Sequence, residues 1–335
     1  MRFCAQNQLL VDPPSKLPDG WQCLPGLPLD AALPFPWDAD YRERFGQPFQ
    51  PVRFWQNACA LSAELQRRRA SGAGAEPVEA LLLQLVERMR GYLRSTGSVD
   101  LVENRFAFRE AGMHLAHGWV GGLSNAFVIL GCHAMAPVLR GLGLEGDVRR
   151  LANGFLKTCR EGDPPPARWI SYVDRNAYLW FEEYPEAGGR ANLVLNGHVF
   201  CVFALYRAAG LWPGHGYDRL AQAGATTVAA YIPQFRRKGK VNLYALRGTR
   251  RSDYLPMRTI RQQYQMYLLT GLDVFLRHAR AFRSDMAGLV SAAEAAQFDR
   301  IEATAIRRRA FIDAPDSGVL SRFEALAEEQ SPPLP

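Results

Sequence analysis

The stretch LNGHVFCVFALYRAA, residues 195–209, decides the fold class. Its apolar side chains fall on nearly every side of a helix with 3.6 residues per turn, and Gly210 ends the pattern. A helix that is apolar all round must be buried against other helices on more than one side. The segment therefore predicts an interior helix in a multi-helix protein.

Similar segments follow one another along most of the chain, separated by short breaks. Helical periodicity begins near residue 53, and it predicts further helices over 78–89, 123–142, 147–158, 217–231, 261–282 and 292–311. No sequence repeat of fixed period is visible. Paired helices with short links indicate a mainly α protein, and we predict an α/α toroid, that is, an incomplete α/α barrel.

Two stretches interrupt the helical pattern with period-two alternation, which indicates strands. Residues 97–110 predict a short strand or hairpin. Residues 234–247 carry a basic, glycine-bearing turn followed by Val241, Leu243 and Ala245, and they predict a β-hairpin between two helices. The expected fold is thus a toroid with a small β-hairpin.

The two ends of the chain differ from its middle. Nine prolines lie among aromatic residues within residues 1–52, and they predict an extended arm that packs its rings onto the body. We place the toroid at residues 53–282. Residues 283–335 are expected to form a C-terminal helix and a tail.

The composition of the 335 residues favours a polyanionic partner. The net charge is +7, and only four of the 40 basic residues are lysines. Arginine makes forked contacts to carboxylates and phosphates, which suits an acidic polysaccharide or a nucleic acid. No nucleic-acid-binding motif is present, so an acidic polysaccharide is expected.

The sequence lacks the patterns that mark several other classes. The six cysteines form no CxxC pair, and no P-loop, GxGxxG or HExxH motif occurs, so we expect neither a metal nor a cofactor. We also find no signal-peptide pattern and no apolar run of membrane-spanning length. These observations predict a bacterial cytoplasmic protein without a membrane span. They are compatible with a homodimer.

Polar and aromatic side chains are densest in YLWFEEYP, residues 178–185. Burial beside aromatic rings would raise the pKa of Glu182 or Glu183 and make it a usable base near neutral pH. Alternatively, one glutamate faces solvent and the other caps a helix. Trp180 is a further candidate for contact with a substrate.

Three other segments carry candidate binding residues. Asn196 precedes the apolar helix, where it is either an N-cap or a donor amide beside a sugar. Tyr244 and Arg247 lie three residues apart, which suits an acid and a clamp for a carboxylate. The basic turn around Arg237 is either a solvated loop or a binding surface for a polyanion.

These segments occur in a familiar order. The motifs are WVGGLS (119–124), WFEEYP (180–185), VLNGHVF (194–200), LYALR (243–247) and QMYLL (265–269). Over about residues 118–282 the chain resembles the C-terminal catalytic domain of D-glucuronyl C5-epimerases, which convert glucuronate to iduronate within heparan-type polymers.

The resemblance implies an α/α toroid and a reaction at C5. A base removes the C5 proton, an acid on the other face returns one, and Arg or Asn neutralises the substrate carboxylate. The resemblance places Glu183 and Tyr184 on the family's catalytic pair, Asn196 on its substrate-binding asparagine, and Tyr244 and Arg247 on its hairpin tyrosine and carboxylate-binding arginine.

The chain departs from the family at the proton donor. The family's next helix opens with Asp-Tyr-His, whose tyrosine is the expected donor, but Arg258 stands at that position and the histidines are missing. Tyr254 lies one helical turn earlier. We therefore predict Tyr244 or Tyr254 as the acid on the other face, and we count Arg258, Glu182, Trp180 and Arg237 among the substrate-binding residues.

Two other functions fit the same observations. Proton abstraction at C5 without reprotonation leads to β-elimination, which is the reaction of a uronate lyase. A toroid with a displaced acid could also be an inactive protein that binds polysaccharide during assembly. A glycosidase is less favoured, because adjacent carboxylates rarely flank a glycosidic bond from both sides.

Overall fold

The computed structural model describes residues 49–110, 113–160, 169–186, 188–247 and 256–313. Most of the predicted N-terminal arm, Tyr254 and the tail beyond residue 313 lie outside the described residues.

Helices make up most of the described part of the chain. They are α1 (Pro51–Ser71), α2 (Glu76–Arg90), α3 (Gly122–Met135), α4 (Leu144–Lys157), α5 (Leu195–Leu211), α6 (Tyr217–Phe235), α7 (Pro256–Thr270), α8 (Asp273–Asp285) and α9 (Ala292–Asp313), with a short 3-10 helix at Ala287–Leu289. The prediction of a mainly α fold is confirmed. None of the helices described is both long and apolar enough to cross a membrane.

Helices α3 and α5 form the centre of the packing. Helix α3 contacts α1, α4 and α5, while α5 also packs against α6 and, over a smaller contact, α4 and α7. Nearly every residue of α5 is buried, as its all-round apolar sequence predicts.

A buried histidine joins α5 to its neighbours. His198 Nδ1 accepts the backbone N–H of Phe181 at 2.9 Å, so its Nε2 donates to the Gly224 carbonyl oxygen, also at 2.9 Å. Burial lowers the pKa of His198 to about 4, so the ring is neutral at neutral pH. This ring fixes α5 against α6 and against the strand that precedes the polar cluster at residues 182–184.

Short strands cover the helices. In chain order they are β1 (Leu93–Thr96), β2 (Val99–Asn104), β3 (Phe108–Glu110), β4 (Met113–Leu115), β5 (Trp119–Val120), β6 (Cys159–Arg160), β7 (Ser171–Val173) and β8 (Leu179–Phe181). They pair in the orders β1-β2-β5, β3-β4 and β6-β7-β8, antiparallel except for the parallel pair β6-β7. The prediction of a strand or hairpin within residues 97–110 is confirmed.

Three predicted elements are wrong in form. Residues 234–247 form a turn closed by one backbone hydrogen bond, from Leu243 N to the Phe235 carbonyl oxygen at 2.8 Å, and not a β-hairpin. Their extended end pairs with residues 192–195, at the bridge Val194–Ala245. The helix predicted over 261–282 is two helices, since Gly271 takes a left-handed φ of 72° between them. The helix predicted to residue 142 ends at Met135, because Pro137 has no backbone N–H to continue the helical hydrogen bonds.

Candidate active site

The backbone at Glu182 and Glu183 is held from two sides. The Glu182 N–H donates to the Ile170 carbonyl oxygen at 2.9 Å, and its own carbonyl oxygen accepts the N–H of Gly122, the first residue of α3, at 2.8 Å. A Cβ on Gly121 would lie 2.4 Å from the Glu183 carbonyl oxygen. Only glycine permits this approach of α3 to the site.

The Glu183 side chain is buried against the first turn of α5. A Cβ on Gly197, the third residue of that helix, would lie 2.5 Å from Glu183 Oε2. The N-terminal end of a helix carries partial positive charge and favours a carboxylate there. On the other side, the Tyr244 hydroxyl donates to Glu183 Oε1 at 3.0 Å.

This environment adjusts the pKa of Glu183 to the neutral range. Burial raises the pKa to about 7, and the hydroxyls of Tyr184 and Tyr244 and the charge of Arg258 oppose that rise. A carboxylate with such a pKa is available as a general base near neutral pH. The burial predicted for a glutamate of this cluster is confirmed, since Glu183 is 5% exposed.

Aromatic rings pack around Tyr184, the residue that follows Glu183. Tyr184 stacks face to face on Phe108, with ring centroids 5.1 Å apart, and Trp119 lies 5.8 Å from the Tyr184 ring. We call Phe108, Trp119 and Tyr184 the aromatic wall. The Tyr184 hydroxyl lies 3.3 Å from the Tyr244 hydroxyl, which in turn donates to Glu183. Tyr244 therefore connects the aromatic wall to the carboxylate.

Asn196 lies in the first turn of α5, beside Gly197. Its Oδ1 accepts a hydrogen bond from Gln262 Nε2 at 2.7 Å, whereas its Nδ2 makes no hydrogen bond to the described residues. Within the described part of the chain, the Asn196 amide therefore keeps an unpaired donor on the residue that precedes Gly197. Gln262 follows Arg258 by four residues on α7, so the two lie on one helix face.

Two predicted substrate-binding residues are inaccessible, and those predictions are wrong. Trp180 is buried in the core, where its Nε1 donates to Asp174 at 3.2 Å and its ring packs on His198. Glu182 is fully buried, and its Oε2 accepts the backbone N–H groups of Asn192 and Leu193.

The predicted arginines occupy different places. Arg258 acts on Glu183 through its charge. Arg247 is exposed, and its backbone N–H donates to the Asn192 carbonyl oxygen at 3.1 Å, which holds it on the segment beside the site. Arg237 lies in the turn after α6, where its carbonyl oxygen accepts the Lys240 N–H at 3.0 Å.

Tyr244 is not on the opposite face of the site from Glu183. Two groups within hydrogen-bonding distance cannot flank a sugar ring from both sides, so that prediction for Tyr244 is wrong. The other predicted acid, Tyr254, lies outside the described residues.

Sequence reasoning missed Phe108, Gln262 and the role of Gly197. Phe108 comes from the β3–β4 hairpin, and no local motif connects that hairpin to the site. Gln262 could have been found from its four-residue spacing to Arg258. Gly197 was visible only as part of the LNG motif.

The arrangement suits removal of a proton from carbon. A buried base, two tyrosine hydroxyls and nearby cationic and amide donors can take up a proton and stabilise the anion that forms. No group of three or more His, Cys, Asp or Glu side chains that could hold a metal ion occurs among the residues the structure describes.

Comparison with known proteins finds a family match over part of the chain. Residues 168–282, about a third of the chain, match the sequence model of a family described as D-glucuronyl C5-epimerase C-terminus. This match confirms the resemblance predicted from the motifs. It contains Glu183, Asn196 and Tyr244, whereas Phe108 and Trp119 lie before it. A search of curated proteins found no match.

The fold is similar to that of a solved α/α barrel epimerase. The structure of cellobiose 2-epimerase from Bacillus thermoamylovorans B4167 aligns with a TM-score of 0.51 and 11% sequence identity. The alignment covers 72% of this chain and 61% of that one. This likeness concerns the fold, and it confirms the predicted α/α toroid.

Proposed function

We propose that this protein is a carbohydrate epimerase that inverts C5 of uronate residues in an acidic polysaccharide. The observation that carries the proposal is the buried Glu183 carboxylate, with a pKa of about 7 and a hydrogen bond from Tyr244. It lies inside the segment that matches the C5-epimerase family. The arginine-rich composition agrees with an acidic polymer as substrate.

In the proposed reaction Glu183 Oε2 or Oε1 takes the proton from C5. The electron pair of the C5–H bond moves into the adjacent carboxylate and gives an enediolate. The Asn196 amide and the guanidinium groups of Arg247 and Arg258 stabilise the added negative charge. Tyr254 then returns a proton to C5 from the other face, which leaves the inverted sugar.

A uronate lyase is the second candidate, and the position of Tyr244 favours it. The Tyr244 hydroxyl lies on the same side as the base, 3.0 Å from Glu183. An acid on that side could protonate the oxygen that leaves C4 after C5 has lost its proton. Elimination would then give an unsaturated uronate instead of an inverted one.

Proton exchange in heavy water tests the proposal. We would incubate the protein with heparosan and related uronate polymers in D₂O and follow C5 by NMR. Deuterium at C5 together with iduronate signals supports the epimerase, whereas an unsaturated product supports the lyase. Binding of a polymer without any exchange contradicts both and leaves a binding protein. In Tyr254→Phe, we expect exchange to persist and inversion to be lost.

The variant Tyr244→Phe is expected to shift the pH dependence of exchange. It removes a hydrogen bond to the ionised carboxylate, so the pKa of Glu183 rises above about 7. The limb of kcat/KM that increases with pH should move upward by about one to two pH units, because a hydrogen bond to a charged group contributes about 1.5–3 kcal/mol and one pKa unit equals about 1.4 kcal/mol. The measurement is kcat/KM between pH 5 and 9.

Tyr178→Phe is the matched control. Tyr178 packs edge-on against Tyr231 and does not touch Glu183. In this variant, the rise of kcat/KM with pH should occur at the same pH as in the unmodified protein. An unshifted limb in Tyr244→Phe would contradict the role given to the Tyr244 hydroxyl.

A further inference from the structure

We infer that Glu182 is a positioning residue. Its buried carboxyl group holds the backbone segment to which the residues around Tyr244 and Arg247 are hydrogen-bonded. The inference rests on the proposed function only for its activity readout. The backbone of residues 192–195 is called the mounting segment below, and residues 244–247 are called the tyrosine segment.

The contacts of the Glu182 side chain are made with backbone. Its Oε2 accepts the N–H of Asn192 at 3.1 Å and the N–H of Leu193 at 3.2 Å. Its Oε1 is buried and has no hydrogen-bond partner among the described residues. The side chain is fully enclosed, so it acts through the mounting segment and not by touching a substrate.

The mounting segment has a conformation that needs such support. Leu193 takes a left-handed φ of 57°, which costs a residue with a side chain roughly 1–2 kcal/mol. At this turn, two successive N–H groups converge on the one oxygen of Glu182. Convergent backbone N–H groups of this kind are suited to a carboxyl oxygen.

Three backbone hydrogen bonds attach the tyrosine segment to the mounting segment. Arg247 N donates to the Asn192 carbonyl oxygen at 3.1 Å, and Leu246 N donates to the Leu193 carbonyl oxygen at 3.3 Å. In the other direction, Leu195 N donates to the Tyr244 carbonyl oxygen at 3.2 Å. Asn192 and Leu193 therefore donate their N–H groups to Glu182 and accept hydrogen bonds from the tyrosine segment through their carbonyl oxygens.

The same unit includes Tyr184. Asn192 Nδ2 donates to the Tyr184 carbonyl oxygen at 3.1 Å. A shift of the mounting segment would therefore change the 3.0 Å contact between the Tyr244 hydroxyl and Glu183, and it would also disturb Tyr184. The two adjacent glutamates thus have different partners. Glu183 accepts a hydrogen bond from the Tyr244 hydroxyl, whereas Glu182 fixes the position of the backbone near the tyrosines.

The neutral form of Glu182 is sufficient for this role. Burial raises the pKa of Glu182 to about 8, so the carboxyl group is largely protonated at neutral pH. One carbonyl-type oxygen that accepts two N–H groups is available in glutamine as well. Leucine has a similar volume but no acceptor.

The test compares Glu182→Gln, Glu182→Leu and Glu182→Asp with the exposed control Glu87→Gln. Two readouts are independent of turnover: the NMR titration of the Glu183 carboxyl and the hydrogen exchange of the Asn192 and Leu193 amides. The third readout is kcat and KM for C5 exchange, measured at the same pH after thermal unfolding has confirmed that each variant is folded.

We expect Glu182→Gln to keep all three readouts, with kcat within about threefold of the original. In Glu182→Leu the two amides should exchange at least about tenfold faster, the pKa of Glu183 should rise as the Tyr244 contact loosens, and kcat should fall about tenfold or more. Glu182→Asp, whose oxygen is set back by one methylene, should lie between them and replaces the leucine variant if that one does not fold.

Two results would overturn the inference. If Glu182→Gln abolishes exchange while the amides stay protected, Glu182 takes part in the chemistry itself. If Glu182→Leu or Glu182→Asp leaves the amides and the Glu183 pKa unchanged, the carboxyl group does not position the segment. Failure of the proposed function would appear separately, as an absence of exchange in the unmodified protein.

Discussion

Glu183→Gln is expected to lower the rate of deuterium incorporation at C5 by about 10²–10⁴-fold, the usual contribution of a general base. Glutamine keeps the size of the side chain and can still accept the Tyr244 hydrogen bond, but it cannot take up the proton. The measurement is the initial exchange rate in D₂O, at saturating polymer and at a pH of about 8.

The same variant should fold as stably as the original protein, and its stability provides the control. The pKa of Glu183 is raised to about 7 by burial, so ionisation costs free energy of folding as the pH rises from about 4.5 through 7. Glutamine lacks this cost, and thermal unfolding at pH 8 should occur at the same temperature or above it. An exchange rate within threefold of the original would contradict the assignment of Glu183 as the base.

Gly197→Ala is expected to reduce exchange by about 100-fold. The added Cβ would lie 2.5 Å from Glu183 Oε2 and 2.7 Å from Glu183 Cβ, so the carboxylate must leave the first turn of α5. A misplacement of about 1 Å costs roughly this much in rate. The crowding should also lower the free energy of unfolding by about 1–3 kcal/mol, measured by urea denaturation.

The matched control lies on the same helix. Gly210 is exposed, is helical, and has no atom within 4 Å of an added Cβ. Gly210→Ala should leave exchange unchanged and increase the free energy of unfolding by about 0.5–1 kcal/mol, because alanine is the better helix former. Equal activity in the two variants would show that the Glu183 carboxylate does not need the space at Gly197.

Sequence periodicity was sufficient to predict the helical fold, because the positions of apolar residues show directly which helix faces are buried. The all-round apolar pattern of α5 matches its central position between α3 and α6. Where prediction failed, the deciding contact lay elsewhere in the chain. The alternation after residue 240 indicated an extended segment correctly, but alternation does not say which segment it pairs with, and here the partner is residues 192–195.

The candidate site was predictable in part for the same reason. The neighbouring aromatic residues around Glu183 indicated a buried base, and the spacing of Tyr244 and Arg247, together with the family resemblance, indicated Tyr244. Burial alone did not distinguish Glu183 from Glu182, because that difference lies in which polar groups each side chain meets. Trp180 was a candidate for contact with a substrate, yet Asp174 accepts its N–H inside the core.

Two of the three rings of the aromatic wall come from outside the segment that matches the family model. Phe108 and Trp119 come from strands that precede the family-matching segment, while the base and the residues around it lie within residues 168–282. Phe108 stacks on Tyr184, and the Tyr184 hydroxyl is one of the groups that lower the pKa of Glu183. A substitution in the β3–β4 hairpin can therefore reach the carboxylate through a single ring, although the hairpin lies about 75 residues before it in the sequence.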